Sequence, residues 1–452
     1  MFNKPICKML EDLQNASKLR MHMPGHKGRL SSLPSTWDVT ELGITDDLHQ
    51  PNNSILASEV QLAKVYGSAE AHYLINGATC GIMATILALT RDDVEMALPL
   101  DAHRAFYNGL LLSGANASFL PARIVANDFI VLAKKEKLLA DVSKRSSLVG
   151  LTAPGYMGYY YNTTPLILEL QKLKKIVLLD SAHGSHLPLQ QFDYELVADI
   201  TIHSYHKTMG ALTQTGGIHF KRKNLANKIT NYLSILQSTS PSFLLLASIE
   251  QAIERWLENN IPCHKQLLLS AINSIEGFAV LPEQIDDLIQ DQWKIVMQIS
   301  SDITGYHVDK ALQKKGIFVE MASAKHLLFW LSPLDTVEDY WFLVETLKDI
   351  SLENKLSQFE LDFSLKDYPA IEPLELSPKK VALAQQEFVL LAKSIGRIAA
   401  EHIIPYPFGI PLIYPGQRLN CGIINKLLEL QVQNIRWQGW QRRNEKEILV
   451  IK

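Results

Sequence analysis

Three short apolar runs constrain the fold more than any other feature. They are SLVGLTAP (147–154), KIVLLD (175–180) and ADITIHS (198–204). Each is rich in Val, Ile and Leu and breaks into small or polar residues at its end. TPLILELQKLKK (164–175) lies between the first two with the spacing of an amphipathic helix. Short apolar strands separated by helices imply βαβ units and a mainly parallel sheet covered on both faces. Ligands of such sheets bind outside the carboxyl ends of the strands. Polar residues directly after the apolar runs are therefore the first candidates for a site.

The same alternation begins near residue 55. ASEVQLAKVYG reads as a helix stopped by Gly67, INGATCGIMATILAL as a turn feeding a helix, and MALPL as a strand. HRAFYNGLLLSGA reads as a helix stopped by Gly114, and TGGIHF as one more strand. Residues 1–50, with Pro24, Gly25, Gly28 and Gly43, read as an extended arm, 51–260 as the large domain, 261–375 as a smaller α/β domain and 376–452 as a C-terminal domain. SFLLLASIEQAIERWLEN reads as a long helix at the end of the large domain, and KKVALAQQEFVLLAKSIGRIAAEHI (379–403) as a helix of the C-terminal one.

A chain of 452 residues exceeds one ordinary core. A net charge of −3 with both signs spread along the chain gives no nucleic-acid footprint. No apolar run reaches the length of a membrane helix. MFNKPICKML lacks the apolar stretch of a signal peptide. Cys7, Cys80, Cys263 and Cys421 are far apart and form no zinc or disulfide pattern. A soluble cytoplasmic protein without a metal site, a nucleic-acid partner or a membrane partner is expected.

Four features follow the apolar runs. Asp180 ends KIVLLD, where its carboxylate meets the ligand edge or simply caps a turn. Ala78, Thr79 and Cys80, between Gly77 and Gly81, form a strand-to-helix turn whose free N–H groups favour an anion. His103 follows MALPL and, alone, reads as an ordinary structural histidine. Lys207, in HSYHKT, sits after a buried strand, where an ammonium is costly unless its amine is used. Pyridoxal phosphate needs all four groups: a lysine for its aldehyde, a carboxylate for its pyridine nitrogen, a helix N-terminus for its phosphate and a flat partner for its ring.

With those residues in view, the chain resembles the Orn/Lys/Arg decarboxylases. The matching stretches are MHMPGHKGR, TELGITDDLHQP, INGATCGI, DAHRAFYNG, LTAPGYMG, LLDSAHGSH, ADITIHSYHKTMGALTQTGGIH, QSTSPSFLLLASIE and PYPFGIPLIYPG, across roughly residues 21–416. The resemblance implies the aspartate-aminotransferase-like fold type I, with a mainly parallel seven-stranded sheet and smaller α/β C-terminal domains, in a short form without the extra N-terminal domain. It implies Lys207 as the lysine that carries the cofactor as an imine, and Asp180 as the pyridine partner. It implies Ala182 beneath the ring, His103 stacked above it, and Ala78, Thr79, Cys80, Ser204 and His206 around the phosphate. Thr239, in QSTSP, resembles a phosphate contact made across a dimer interface.

The activity implied is decarboxylation of arginine, lysine or ornithine to the amine and carbon dioxide, with Lys207 or His206 returning a proton to Cα. Glu41, Asp46 and Asp47 are candidates for the substrate's distal cation; solvated turn residues are the plain alternative. A homodimer or higher even oligomer with shared sites is expected. The chain departs from the family at Ala78 (often serine), Arg104 and Ala105 (lysine and serine), Ser181 (glutamate), Phe408 (proline) and Gln417 (glutamate). Another lyase, an aminotransferase or a degenerate regulatory protein therefore remains as an alternative.

Overall fold

The computed structural model describes residues 2–16, 35–190, 196–258, 265–368, 371–406, 411–432, 436–440 and 446–452. MHMPGHKGR and Phe408 lie outside the described residues. The central sheet has seven strands: β1 (Glu70–Leu74), β2 (Glu95–Leu98), β3 (Asn116–Phe119), β4 (Ser146–Thr152), β5 (Ile176–Asp180), β6 (Ile200–His203) and β7 (Gly216–Phe220), in the order β1-β7-β6-β5-β4-β2-β3. The three runs that most constrain the sequence are β4, β5 and β6, which pair in parallel with Thr152 opposite Asp180 and Asp180 opposite Ile202. TGGIHF is β7, antiparallel to both β6 and β1. The connection from β6 to β7 holds one helical turn, Tyr205–Thr208, rather than the crossover helix a parallel return uses.

The chain divides into two compact units. The first comprises residues 1–91, 147–153 and 162–261. Every residue of β6 and β7 is buried, as befits strands covered on both faces. The helix Gly77–Leu89 lies on this sheet at close range: a Cβ at Gly81 would come within 2.7 Å of Leu74 Cδ1 and 3.0 Å of Ile202 Cδ1. Within the expected arm, Pro5–Ala16 is a helix whose Ile6, Cys7 and Leu10 are buried. Its first N–H groups, those of Ile6 and Cys7, donate to the Glu250 carboxylate at 3.0 and 2.8 Å. That buried carboxylate caps the helix and docks this part of the arm.

The second unit comprises residues 92–146, 154–161 and 262–452. It holds an antiparallel sheet of Phe278–Val280, Lys294–Ile299, His326–Trp330 and Met321–Ala322, in that order. The helix Val337–Asn354 begins in a capping box between Thr336 and Asp339. The continuous helix expected over 379–403 does not form. Pro378–Leu383 is helical, but Gln386–Leu390 is a strand paired with Glu447–Ile451. Its FVL core satisfies its backbone on that distant partner, a tertiary choice that overrides local helix propensity. Gly396, at φ +83°, then turns the chain. Arg397, expected in a helix, lies after this strand and donates to Glu387 Oε1 at 2.7 Å and to the Ile451 carbonyl at 2.5 Å. No helix among the described residues is long and apolar enough to cross a membrane.

Candidate active site

The carboxyl ends of β5 and β6 bring Asp180 and Lys207 into the same edge of the sheet. Asp180 is 4% exposed. Its Oδ1 accepts the Ala182 N–H at 3.1 Å, and its Oδ2 takes no hydrogen bond from the described residues. Ser181 N–H donates to the Ile202 carbonyl at 2.9 Å, which fixes the loop after β5 against β6. Ala182 is buried and small, as a residue beneath a flat ring has to be.

Lys207 sits on the single helical turn after β6 and is half-buried. Its Nζ lies 3.2 Å from His183 Nε2. His183, three residues after Asp180, is a residue the sequence reasoning passed over. Its place in DSAHG, three residues after Asp180, is the one signal of it in the sequence. His206 Nδ1 donates to the Thr215 carbonyl at 2.9 Å. A carbonyl only accepts, so the proton of neutral His206 is on Nδ1 and the Nε2 lone pair faces away from that bond. Burial lowers the pKa of His206, the Thr215 bond raises it and the Lys207 charge lowers it further. Ser204 is buried at the N-cap of this turn with no side-chain capping bond.

The third element is the turn from β1 into the helix Gly77–Leu89. Gly77 takes φ +70°, a left-handed conformation suited to glycine, and spends its own N–H on the Gln214 carbonyl at 2.8 Å. The helix then begins without a side-chain cap and without an acidic residue in its first turn. Its first N–H groups and the half-buried Thr79 hydroxyl are thus available to an anion. Gly216 of β7 passes behind it: a Cβ there would lie 3.3 Å from Ala78 N and 2.7 Å from the His203 carbonyl oxygen. The Cys80 thiol donates to the Gly77 carbonyl at 3.1 Å, and burial pushes its pKa up to about 12. The Cys80 thiol therefore stays protonated at neutral pH.

The remaining candidates each have local partners of their own. His103, in the second unit, is the N-cap of the helix Arg104–Ser113, and its Nδ1 accepts the Ala105 N–H at 3.2 Å. Thr239 is exposed at the tip of a turn closed by Ser240 N–H donating to Ser238 Oγ at 3.2 Å. Asp46 and Asp47 hold backbone N–H groups, and Glu41 accepts from the Ser240 and Thr40 hydroxyls.

The model of the Orn/Lys/Arg decarboxylase major domain matches residues 4–279, and that of the C-terminal domain matches residues 363–442. The chain belongs to the Orn/Lys/Arg decarboxylase family. It is 29% identical to the uncharacterized protein YaaO of Bacillus subtilis (strain 168), over 99% of this chain and 98% of that one. It is 26% identical to an arginine decarboxylase of Halalkalibacterium halodurans, over 96% and 94%. The solved lysine decarboxylase LdcF of Francisella novicida has the same fold, with a TM-score of 0.83 at 17% identity over 100% of this chain and 81% of that one. The architecture is fold type I, and members of this family are amino-acid decarboxylases that use pyridoxal phosphate. The residues present fit that cofactor: an open helix N-terminus with Thr79 for the phosphate, buried Asp180 with an oxygen to spare, Ala182 where bulk would obstruct, and Lys207 within the same edge.

Proposed function

We propose that this decarboxylase acts on a basic amino acid, with arginine the first to test and lysine and ornithine next. Curated relatives named arginine decarboxylase match over 91% to 96% of the chain, which supports arginine. Bound at the β5–β6 edge, pyridoxal phosphate supplies a sink for the electron pair left on Cα when carbon dioxide departs. Asp180 holds a proton on the pyridine nitrogen, because an adjacent anion stabilises the cation. The N–H groups of Ala78, Thr79 and Cys80, with the Thr79 and Ser204 hydroxyls, hold the phosphate. Lys207 would hold the cofactor's aldehyde, and its amine, when free, sits 3.2 Å from His183. Lys207 or His206 would supply its own proton to Cα in place of the departed carboxylate.

The observation that carries this reading is the placement of a buried Asp180 at the end of β5 and of Lys207 on the turn that follows its parallel neighbour β6. His103 is assigned to the ring face and Thr239 to the phosphate of a neighbouring subunit, in a homodimer or higher even oligomer of the cytoplasm serving polyamine-type metabolism. An aminotransferase that gripped the substrate's carboxylate through Arg397 is disfavoured, because Arg397 is committed to Glu387 and the Ile451 carbonyl. Incubation with arginine, lysine and ornithine tests the proposal. Equal amounts of carbon dioxide and the amine are expected. A keto acid in their place, or no turnover of any of the three, refutes it.

A further inference from the structure

Lys207 stands on a helix of four residues, Tyr205–Thr208. Lys207 N–H donates to the Ser204 carbonyl at 3.2 Å, and Met209 N–H to the Tyr205 carbonyl at 2.9 Å. A single turn does not hold itself in water, so the direction of Lys207 depends on what fastens the turn. Side chains two residues apart on a helix leave its axis about 200° apart. Lys207 reaches His183 on one side, and Tyr205 on the other is fully buried.

The Tyr205 hydroxyl lies 3.0 Å from His219 Nε2 on β7. At longer range, His219 Nδ1 lies 3.4 Å from Ser68 Oγ, and the Ser68 hydroxyl donates to the Ala63 carbonyl at 3.4 Å, near the end of the helix Ser54–Tyr66. A carbonyl only accepts, which sets the direction of the whole chain. Ser68 uses its one proton on Ala63 and accepts from His219 Nδ1. Burial keeps His219 neutral, so its Nε2 accepts from Tyr205.

Gly217 of β7 makes the seat for the phenol ring. A Cβ there would lie 2.8 Å from Tyr205 Cζ and 2.9 Å from its Cε2, so the ring lies directly against the strand's backbone. Tyr66 packs on the same group, its ring centroid 4.5 Å from that of His219 and 6.2 Å from that of Tyr205. Its hydroxyl donates to the Ser185 carbonyl at 2.8 Å, two residues beyond His183. The loop that carries His183 and the turn that carries Lys207 therefore rest on one buried aromatic cluster.

We infer that Tyr205, fastened to His219, is the positioning residue that holds Lys207 against His183 and ready for the cofactor's aldehyde, an assignment that rests on the decarboxylase reading above. Its effect is exerted through Lys207.

Tyr205→Phe keeps the ring on Gly217 and removes only the hydroxyl. Stripped of cofactor and mixed with pyridoxal phosphate, this variant should develop the visible band about ten- to a hundredfold more slowly than wild type, the scale on which a slightly misplaced reacting group loses rate. Its kcat should fall while KM changes little. Binding of pyridoxine 5'-phosphate, which offers Lys207 no aldehyde, should be unchanged. His219→Leu should reproduce the loss, and the double variant should be no slower than either single one, because both break the same bond. His219→Gln, whose amide both accepts and donates, should keep more of the rate than His219→Leu. Melting curves establish that each variant is folded at the assay temperature; should His219→Leu not fold, Tyr205→Phe and His219→Gln decide. Wild-type rates of band formation and turnover in Tyr205→Phe overturn the role. So does a joint loss of band formation and pyridoxine 5'-phosphate binding, which marks general packing, or a double variant whose losses multiply. If wild type turns over no basic amino acid, the decarboxylase reading fails, and the rate of band formation still judges Tyr205.

Discussion

Lys207 Nζ lies 3.2 Å from His183 Nε2, so the loop after one strand holds the amine presented by the turn after the next. The two side chains exchange donor and acceptor roles as the amine gains or loses a proton. His183→Ala should therefore lower kcat by about a hundredfold, the lower end of what a positioned proton-transfer group contributes. Phosphate anchoring should be unaffected, as read by binding of pyridoxine 5'-phosphate, which has no aldehyde. An unchanged kcat would remove His183 from the proton path.

Asp180→Asn preserves volume and hydrogen bonding while removing the charge that keeps the pyridine nitrogen protonated. The expected loss in kcat is about a hundredfold or more, since an adjacent opposite charge shifts a pKa by one to three units. The cofactor should still bind, with its absorption band displaced. A variant of full activity would contradict the assignment.

Gly216→Ala should disturb the phosphate site from behind. The added Cβ would meet the His203 carbonyl oxygen at 2.7 Å and Ala78 N at 3.3 Å, and neither is the free end of a side chain. Strain of about 1–3 kcal/mol is the usual result of such overpacking. A lowered melting temperature, together with weaker binding of inorganic phosphate, is the expected pair of results.

Stability should depend on pH with opposite signs at two sites. At His72 burial works against the charge, but Glu59 and Glu70, at 3.0 and 2.8 Å, overcome it and raise the pKa from 6.5 to about 10. The folded value lies above the unfolded one, so this contribution is complete below pH 6.5 and is lost as the pH rises through about 10. His72→Gln should lower the melting temperature at neutral pH and make little difference above pH 10.

His219 behaves in the reverse way. Burial, with a smaller effect from the His72 charge, lowers its pKa from 6.5 to about 3. Below pH 6.5 the unfolded chain takes up a proton that the folded one refuses, so stability falls as the pH drops from 6.5 toward 3. His203, fully buried nearby, is lowered in the same direction, chiefly by burial. Replacing His219 with Gln, which never takes the charge, should flatten the acid limb of a melting-temperature profile. An unaltered limb would place the acid sensitivity elsewhere.

The parts of the site that were legible in the sequence are those in which local pattern and chemistry coincide. The apolar runs place β4, β5 and β6, and the residues that break them are Asp180 and Lys207. Gly67 and Gly114 end their helices in the left-handed conformation, at φ +65° and +83°, where the helical periodicity stops. What stayed hidden depends on distant partners. Gln386–Leu390 becomes a strand only because Glu447–Ile451 lies alongside. His183 acquires meaning only from the position of an amine 24 residues later. Glu41, Asp46 and Asp47 differ through the donors that reach them, and none of that is written in TELGITDD.

The central claim is that Lys207 is the residue joined to pyridoxal phosphate. Borohydride reduction of the coloured protein, followed by mass analysis of its peptides, tests it most directly. The phosphopyridoxyl mass is expected on the peptide that contains Lys207 and is expected to be absent from Lys207→Ala. A label on another lysine, or no label after saturation with the cofactor, would contradict it.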